Sequence, residues 1–313
     1  MINLYLYTIF CIIMNMKVTR PLIGLALHIM MKNVKKQAKL QPPHGKVKEF
    51  LDVPFINDGN ENHKYDVYVA GENRKNICFI DIHGGAYMYG NHKNNYAYAL
   101  EFNKRGYDFI NVDYEVIKND RNLKDLVDDV ICNIKHVADH LKDYGLENDK
   151  FIITGDSAGG HFALLISECF DNEEVAKKLG YEMPKIEVVG CVVNCPVYDV
   201  KDIGEDVMTK GARIRMFGKK CLDKDYMALL SPRTYIKDYR MPLFLSTCKN
   251  DFIRIQSLIL NEDMKSKDNK YVFHDINSDK KEVGHVHNVM ALNLEESKFI
   301  NDEIDKFVSS LII

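Results

Sequence analysis

The chain has 313 residues, of which 46% are hydrophobic and 28% charged, and its formal net charge is −3. These values are typical of a globular protein that is long enough for one large domain or two modest ones. Because the charges nearly balance, they provide no electrostatic basis for nucleic acid as a partner.

The eight cysteines are scattered along the chain and contain no CxxC pair. Most of them lie in apolar runs, where a free thiol behaves as a small hydrophobic group. We therefore expect reduced, buried cysteines and a cytoplasmic protein. No Cys/His cluster has the sequence spacing of a zinc site, so the sequence predicts neither a metal nor another cofactor.

Residues 1–60 form an apolar and basic segment that precedes the regular pattern. The run MINLYLYTIFCIIMNM carries no positive charge, and it is shorter than the roughly 20 residues of a membrane-spanning helix. We expect this segment to lie near the functional site as part of a cap. The alternatives are peripheral membrane attachment through an amphipathic helix, export of the protein, and a native start at Met14 or Met16. Oligomerisation is left open.

From residue 61 onward, short apolar runs alternate with longer amphipathic ones. This alternation predicts an α/β fold with a mostly parallel sheet and helices on both faces, in one domain over 61–313. The long polar stretch 198–240 interrupts the rhythm and predicts a cap over the carboxyl edge of the sheet, where open α/β folds bind ligands. Predicted strands lie at 64–70, 76–82, 107–114, 151–157, 186–195, 241–248 and 270–276, and predicted helices at 122–145, 158–170 and 295–312.

The stretch TGDSAGGHF, residues 154–162, places Ser157 between glycines. The sequence here predicts an apolar strand, followed by Gly-Asp-Ser-Ala-Gly and then by a helix. This is the pattern of a nucleophile elbow, in which the serine is exposed at a sharp turn. Larger side chains than those of Gly155 and Gly159 would collide there, and Asp156 completes the elbow. The plain alternative is a serine that caps a helix in a glycine turn.

A serine nucleophile needs a base and an acid that orients the base. Asp251 follows the predicted strand 241–248 and His285 follows the strand 270–276, so the chain order is Ser, Asp, His, as in α/β-hydrolases. His287 is the alternative base, but the glycine before His285 suits a turn that presents a side chain. We interpret His161 as structural.

A His-Gly-Gly turn follows the strand 76–82 in the stretch DIHGGAYMYG. Glycine at Gly84 and Gly85 allows backbone N–H groups to point into a cavity, where they would bind a developing oxyanion. We expect His83 to brace this turn rather than to transfer protons.

The motifs HGGAY, GDSAGG, the late Asp251 and GHVHN together resemble the hormone-sensitive-lipase-like esterase/lipase branch of the α/β-hydrolases, the fold-3 type, over roughly residues 60–310. The resemblance implies that the N–H groups of Gly85, Ala86 and Ala158 form the oxyanion hole, with Gly84 shaping the turn. Many relatives have a third glycine at the position of Ala86, and alanine is tolerable there if its φ is negative.

The predicted function is hydrolysis of small carboxylic esters with short to medium acyl chains, through a Ser-His-Asp triad and an acyl-enzyme. The alternatives are an acetyl-sugar esterase, an amidase or peptidase with the same triad, and a catalytically silent hydrolase fold that binds a ligand. A trypsin-like protease is excluded, because it would require its His and Asp before the serine and an all-β pattern.

Overall fold

The computed structural model describes residues 48–71, 73–118, 120–201 and 210–312. The strands of this part form one eight-stranded sheet in the order β1-β2-β4-β3-β5-β6-β7-β8. β2 pairs antiparallel with both β1 and β4, and all the other pairs are parallel. The predicted mostly parallel α/β sheet is therefore confirmed. The strands are β1 (Lys48–Pro54), β2 (Lys64–Val69), β3 (Ile77–Ile82), β4 (Asp108–Val112), β5 (Lys150–Asp156), β6 (Glu187–Asn194), β7 (Leu243–Cys248) and β8 (Tyr271–Ile276).

Helices connect and flank the strands. The α-helices are α1 (Tyr96–Lys104), α2 (Leu123–His140), α3 (Ala158–Asp171), α4 (Glu173–Leu179), α5 (Lys210–Phe217), α6 (Lys224–Leu229), α7 (Arg254–Met264), α8 (His287–Met290) and α9 (Glu295–Ser309). Short 3-10 helices lie at Leu141–Tyr144, Lys219–Leu222, Pro232–Thr234 and Ile236–Asp238.

The central strands are buried along their length because helices cover both faces of the sheet. Every residue of β3 is buried, as expected for a parallel strand that has no solvent face. α2 shows the complementary pattern, with its apolar stripe buried and its polar face outward. A capping box between Asn122 and Asp125 begins α2, and Gly145, with φ of 71°, ends the 3-10 turn that follows it. The central strands and their helices thereby form a rigid base for the loops at their carboxyl ends.

Several elements were not predicted from the sequence, and β1 and α1 are two of them. β1 does not show a regular alternation of apolar and polar residues, because its register shifts between Phe50 and Val53, next to Asp52 with φ of 56°. α1 has no side-chain cap at its first turn and is buried at residues of both polar and apolar type. Neither element therefore shows the sequence periodicity on which such predictions depend.

The stretch between β6 and β7 contains α5, α6 and three short 3-10 helices in its described part. The ring of Phe217, at the end of α5, lies 5.2 Å from the ring of Tyr87. The predictions for residues 1–47, and the part of the cap prediction at 202–209, lie outside the described residues. The cap, the domain boundaries, the location and the membrane contact stay predictions. Within the described ranges, every helix is too short or too polar to cross a bilayer.

The described cysteines are unpaired, and all of them are buried except Cys132. This agrees with the expected free, buried thiols at every described position but that one.

Candidate active site

Ser157 lies between β5 and α3 at a sharp turn, as the elbow pattern predicted. Its φ of 54° and ψ of −116° place a non-glycine residue in a region that L-residues rarely adopt. Its N–H donates to the carbonyl oxygen of Asn194, at a distance of 3.0 Å. A Cβ at Gly155 would lie 2.4 Å from the Gly159 carbonyl oxygen, and a Cβ at Gly159 would lie 1.9 Å from that of Ile82. Only glycine fits at these two positions.

The structure brings the three predicted triad residues together from three loops. The His285 Nε2 atom lies 2.9 Å from the Ser157 Oγ atom, and the His285 Nδ1 atom lies 2.6 Å from Asp251 Oδ1. With the proton on Nδ1 donated to the carboxylate, Nε2 presents its lone pair to the serine hydroxyl. The arrangement has the geometry of a general base that is oriented by a buried acid.

Asp251 is held in its ionised form by its partners. Burial alone would raise the pKa of this carboxyl group. The combined effect of His285 and of the hydrogen-bond donors around the carboxyl group is larger, and it lowers the pKa below its ordinary value. Those donors are the Thr247 hydroxyl, 2.8 Å from Oδ2, and the Ile253 N–H, 3.0 Å from Oδ1. The carboxylate is thus fixed in position and charge beneath the imidazole.

The other two candidate histidines lie away from the serine. His287 is buried, its Nδ1 atom lies 2.9 Å from the Ser297 hydroxyl, and burial lowers its pKa to about 4. His161 is buried in α3 with its Nε2 atom 2.7 Å from the Leu230 carbonyl oxygen, and burial lowers its pKa to about 4 as well. Both rings are therefore neutral structural groups near neutral pH.

The His-Gly-Gly turn packs directly on the elbow. The Gly84 N–H donates to Asp156 Oδ1 over 3.1 Å, so this N–H is already occupied and Gly84 shapes the turn. In the described part of the chain, no hydrogen bond uses the N–H groups of Gly85, Ala86 or Ala158. These three groups are therefore available to a ligand, and the last of them lies at the positive N-terminal end of α3.

The condition of a negative φ at Ala86 is not met in the structure. Ala86 has φ of 53° and the next residue, Tyr87, has φ of 63°, so both lie in the left-handed region. For an L-residue this conformation costs about 1–2 kcal/mol. The N–H groups of Met88 and Tyr89 both donate to the Gly85 carbonyl oxygen, which holds the tight turn in place. Gly85 itself has φ of 137°, and a Cβ there would lie 1.8 Å from the Tyr89 carbonyl oxygen.

A buried amide that the sequence did not indicate connects the strand ends beneath this turn. Asn95 donates from Nδ2 to Asp81 Oδ2 over 2.9 Å and to Asp156 Oδ1 over 2.8 Å. Burial raises the pKa of both carboxyl groups, and at Asp81 the nearby Asp156 adds to the effect. Carboxyl groups at the ends of two adjacent strands were the available sequence signal, but the asparagine that joins them comes from a loop.

His83 braces the turn, and its partners were also missed. Its Nδ1 atom lies 2.7 Å from the Gly84 carbonyl oxygen and its Nε2 atom lies 3.1 Å from Asp113 Oδ1. His92 approaches the other oxygen of Asp113 to 2.8 Å, and the Tyr114 ring stacks on His83 at 4.4 Å. Burial would raise the pKa of Asp113, but the two imidazoles prevail and lower it. Asp113 therefore joins the predicted turn to His92 in a loop that no motif singled out.

The family model BD-FAE matches residues 65–264, which is more than half of the chain. The chain belongs to the BD-FAE family. The matched range contains Ser157, Asp251 and the His-Gly-Gly turn and ends before His285. Comparison with curated protein sequences gave no match.

Solved structures similar to this BD-FAE chain share the α/β-hydrolase fold, which confirms the fold that the motifs implied. Esterase B from Lactobacillus rhamnosis, in an inhibited form, is 21% identical with a TM-score of 0.82, covering 92% of this chain and 95% of that one. A hyperthermophilic esterase from Pyrobaculum calidifontis is 18% identical with a TM-score of 0.69, covering 99% and 98%. A truncated carbohydrate esterase from gut microbiota is 18% identical with a TM-score of 0.68, covering 85% and 96%.

Proposed function

We propose that the protein is a carboxylic ester hydrolase in which Ser157 is the nucleophile. The observation that carries this proposal is the continuous hydrogen-bonded series from Ser157 Oγ through His285 to Asp251, with atom separations of 2.9 and 2.6 Å. This series ends at Ser157, which lies in a strained turn at the carboxyl edge of the sheet. A buried, ionised aspartate, an imidazole and an exposed hydroxyl in this order activate a serine for acyl transfer.

Attack begins when His285 Nε2 takes the proton of the Ser157 hydroxyl and the serine oxygen bonds to the ester carbonyl carbon. Asp251 stabilises the resulting imidazolium and holds it in place. The carbonyl oxygen becomes an oxyanion that accepts hydrogen bonds from the N–H groups of Gly85, Ala86 and Ala158. These donors are preorganised by the backbone, so they are not reoriented during the reaction.

The intermediate collapses when His285 returns the proton to the leaving alcohol, which leaves an acyl group on Ser157. Water then attacks the acyl-enzyme with the same imidazole as base, and the acid product departs. The cycle uses only the residues of this chain and one water molecule.

The proposed substrates are small esters with short to medium acyl chains. One aromatic side chain lies beside the triad: the ring of Phe252 is 4.3 Å from that of His285. It supports a partly apolar wall beside the serine, with the 198–240 stretch as its cover. Esterase B, the structural neighbour, is described in one form as inhibited by a tributyrin phosphonate, which is consistent with short acyl groups.

The test is hydrolysis of p-nitrophenyl esters from acetate to laurate by wild type and Ser157→Ala. We expect activity that falls with chain length and a loss of about 10⁴-fold or more in kcat for the variant. Ser167→Ala is the matched control, because Ser167 lies in α3 but bonds to the Leu164 carbonyl oxygen and to Tyr239. Undiminished hydrolysis by Ser157→Ala would refute the assignment.

A fluorophosphonate probe separates the alternatives. Labelling that disappears only in Ser157→Ala, without hydrolysis of any simple ester, would redirect the proposal to acetylated sugars or amides on the same triad. Absence of labelling in wild type would favour a catalytically silent scaffold.

A further inference from the structure

One thiol lies directly against the triad. The sulfur of Cys195, a carboxylate oxygen of Asp251 and a ring nitrogen of His285 all lie within 4.8 Å of one another. Cys195 is 1% exposed and Asp251 6% exposed, whereas the side chain of His285 is 17% exposed and reaches the surface. Thiolate, imidazole and carboxylate are the three ligand types that proteins use for zinc.

The backbone fixes the sulfur in this place. Cys195 follows β6 with φ of 48°, a conformation that is uncommon for a residue other than glycine. Its N–H donates to the Ser246 carbonyl oxygen over 2.7 Å, and its Sγ atom accepts the N–H of Val286 over 3.3 Å. Because Val286 follows His285 directly, this contact joins the thiol to the loop that carries the imidazole.

We propose that Cys195, Asp251 and His285 form a zinc-binding site whose occupation reversibly blocks the triad. Zn–S bonds of about 2.3 Å and Zn–N or Zn–O bonds of about 2.0–2.2 Å in a tetrahedral shell place ligand atoms about 3.5 Å apart. Because the ligand atoms lie within 4.8 Å of one another, the sulfur needs to approach the other two ligands by no more than about 1.3 Å. The Nδ1–Oδ1 separation of 2.6 Å must lengthen. Three protein ligands leave the fourth position to water.

The exchange balances in charge and protons. Zn²⁺ displaces the thiol proton of Cys195 to solvent and binds the thiolate, the Asp251 carboxylate and the His285 Nδ1 atom. The imidazole stays neutral, because its proton moves from Nδ1 to Nε2. Nε2 then donates to Ser157 Oγ and has no lone pair to accept the serine proton. The bound metal thereby removes the general base without touching the nucleophile.

Zinc must also compete with the proton of the thiol. Cys195 binds the metal as a thiolate, so its thiol proton must be released when zinc binds. Binding is accordingly reversed by acid and by a chelator such as EDTA.

The described residues contain a second group of this kind, which the experiment must separate. Asp52, Asp66 and His92 also hold their ligand atoms within 4.8 Å of one another. Asp52 is exposed, and it pairs with the Lys93 ammonium at 2.7 Å, which competes with a cation for the carboxylate. An Asp52→Asn background removes one ligand of this group and leaves the triad unchanged.

The binding test uses Zn²⁺ alone, titrated in competition with a chromogenic chelator, in the Asp52→Asn background. We expect one site per chain whose affinity falls at least about tenfold in Cys195→Ala, since even outer-shell changes cost about 10–100-fold in metal affinity. Cys132→Ala is the matched control, because Cys132 is the exposed thiol of the described part and lies in α2. Equal affinity with and without Cys195 would overturn the site.

The inhibition test rests on the proposed function, and the binding test does not. Each variant's hydrolysis of p-nitrophenyl acetate is measured with and without zinc and expressed as a fraction of its own uninhibited rate. We expect wild type and Cys132→Ala to lose activity and recover it with EDTA, whereas Cys195→Ala and Cys195→Ser require at least about tenfold more zinc. Inhibition that is identical in all four proteins would overturn the proposal. Cys195-dependent binding to a protein without esterase activity would instead refute the proposed function alone.

Discussion

Glu168 is a buried acid in the helix that begins at the nucleophile. It is 2% exposed, and neither of its carboxyl oxygens has a hydrogen-bond partner among the residues that the structure describes. Burial raises its pKa well above the ordinary value of 4.5; Asp171 adds to the rise, and Lys267 opposes it. The folded protein therefore retains this proton to a higher pH than the unfolded chain does.

The raised pKa makes the stability of the protein depend on pH. Between pH 4.5 and the folded-state pKa, the unfolded chain has released the Glu168 proton and the folded chain has retained it. The free energy of unfolding therefore falls as pH rises through this window, by about 1.4 kcal/mol per pH unit for one proton. Glutamine has nearly the same shape as glutamic acid but no titrating proton, so the free energy of unfolding of Glu168→Gln lacks this dependence on pH.

We expect Glu168→Gln to gain stability relative to wild type as the pH rises above 4.5, by about 1.4 kcal/mol per pH unit while the folded protein retains the Glu168 proton. Urea unfolding at a series of pH values measures the difference. Glu182→Gln is the control, because Glu182 is exposed and its substitution leaves the buried acid unchanged. A difference for Glu168→Gln that does not change with pH would refute the reasoning, since the carboxyl group would then titrate alike in both states.

Two further predictions concern the elbow and the triad. Gly159→Ala should reduce the free energy of unfolding by about 1–3 kcal/mol and abolish hydrolysis, because its Cβ would lie 1.9 Å from the Ile82 carbonyl oxygen, a backbone atom that cannot rotate away. Thermal unfolding and ester hydrolysis measure the two effects, and a fully active, stable variant would contradict the packing. Asp251→Asn should lower kcat by about 10⁴-fold, because the amide favours the wrong imidazole tautomer, while circular dichroism should show that the fold is intact. Near-normal turnover would show that His285 does not depend on this partner.

The parts of the fold that were predictable from sequence are those where burial has a regular period. β3 is buried throughout and α2 carries an apolar stripe, and both were found. β1 was missed because a bulge at Asp52 breaks the alternation. The elbow was predictable because a local motif of small residues sits between a strand and a helix, so that all the evidence lies within one short stretch.

The supporting contacts of the site were not predictable, because they join distant parts of the chain. Asn95 bridges two strand ends, and His92 reaches Asp113 from a loop with no motif. Cys195 follows an apolar run in the sequence, and this context predicts a residue of the hydrophobic core. Only the fold brings its sulfur close to the triad. No spacing along the sequence encodes such proximity.

Backbone strain in the described residues is concentrated where the chemistry is proposed. Of the seven residues other than glycine with positive φ, five lie at the carboxyl edge of the sheet around the serine: Ala86, Tyr87, Ser157, Cys195 and Val286. Each such conformation costs of the order of 1–3 kcal/mol and persists only where the surroundings enforce it. Here the enforcing contacts are backbone hydrogen bonds into neighbouring strand ends, such as those from the N–H groups of the serine and the cysteine to Asn194 and Ser246. The buried sheet thus supplies the free energy that holds the nucleophile, the oxyanion donors and the thiol in positions that their local sequences would not adopt alone.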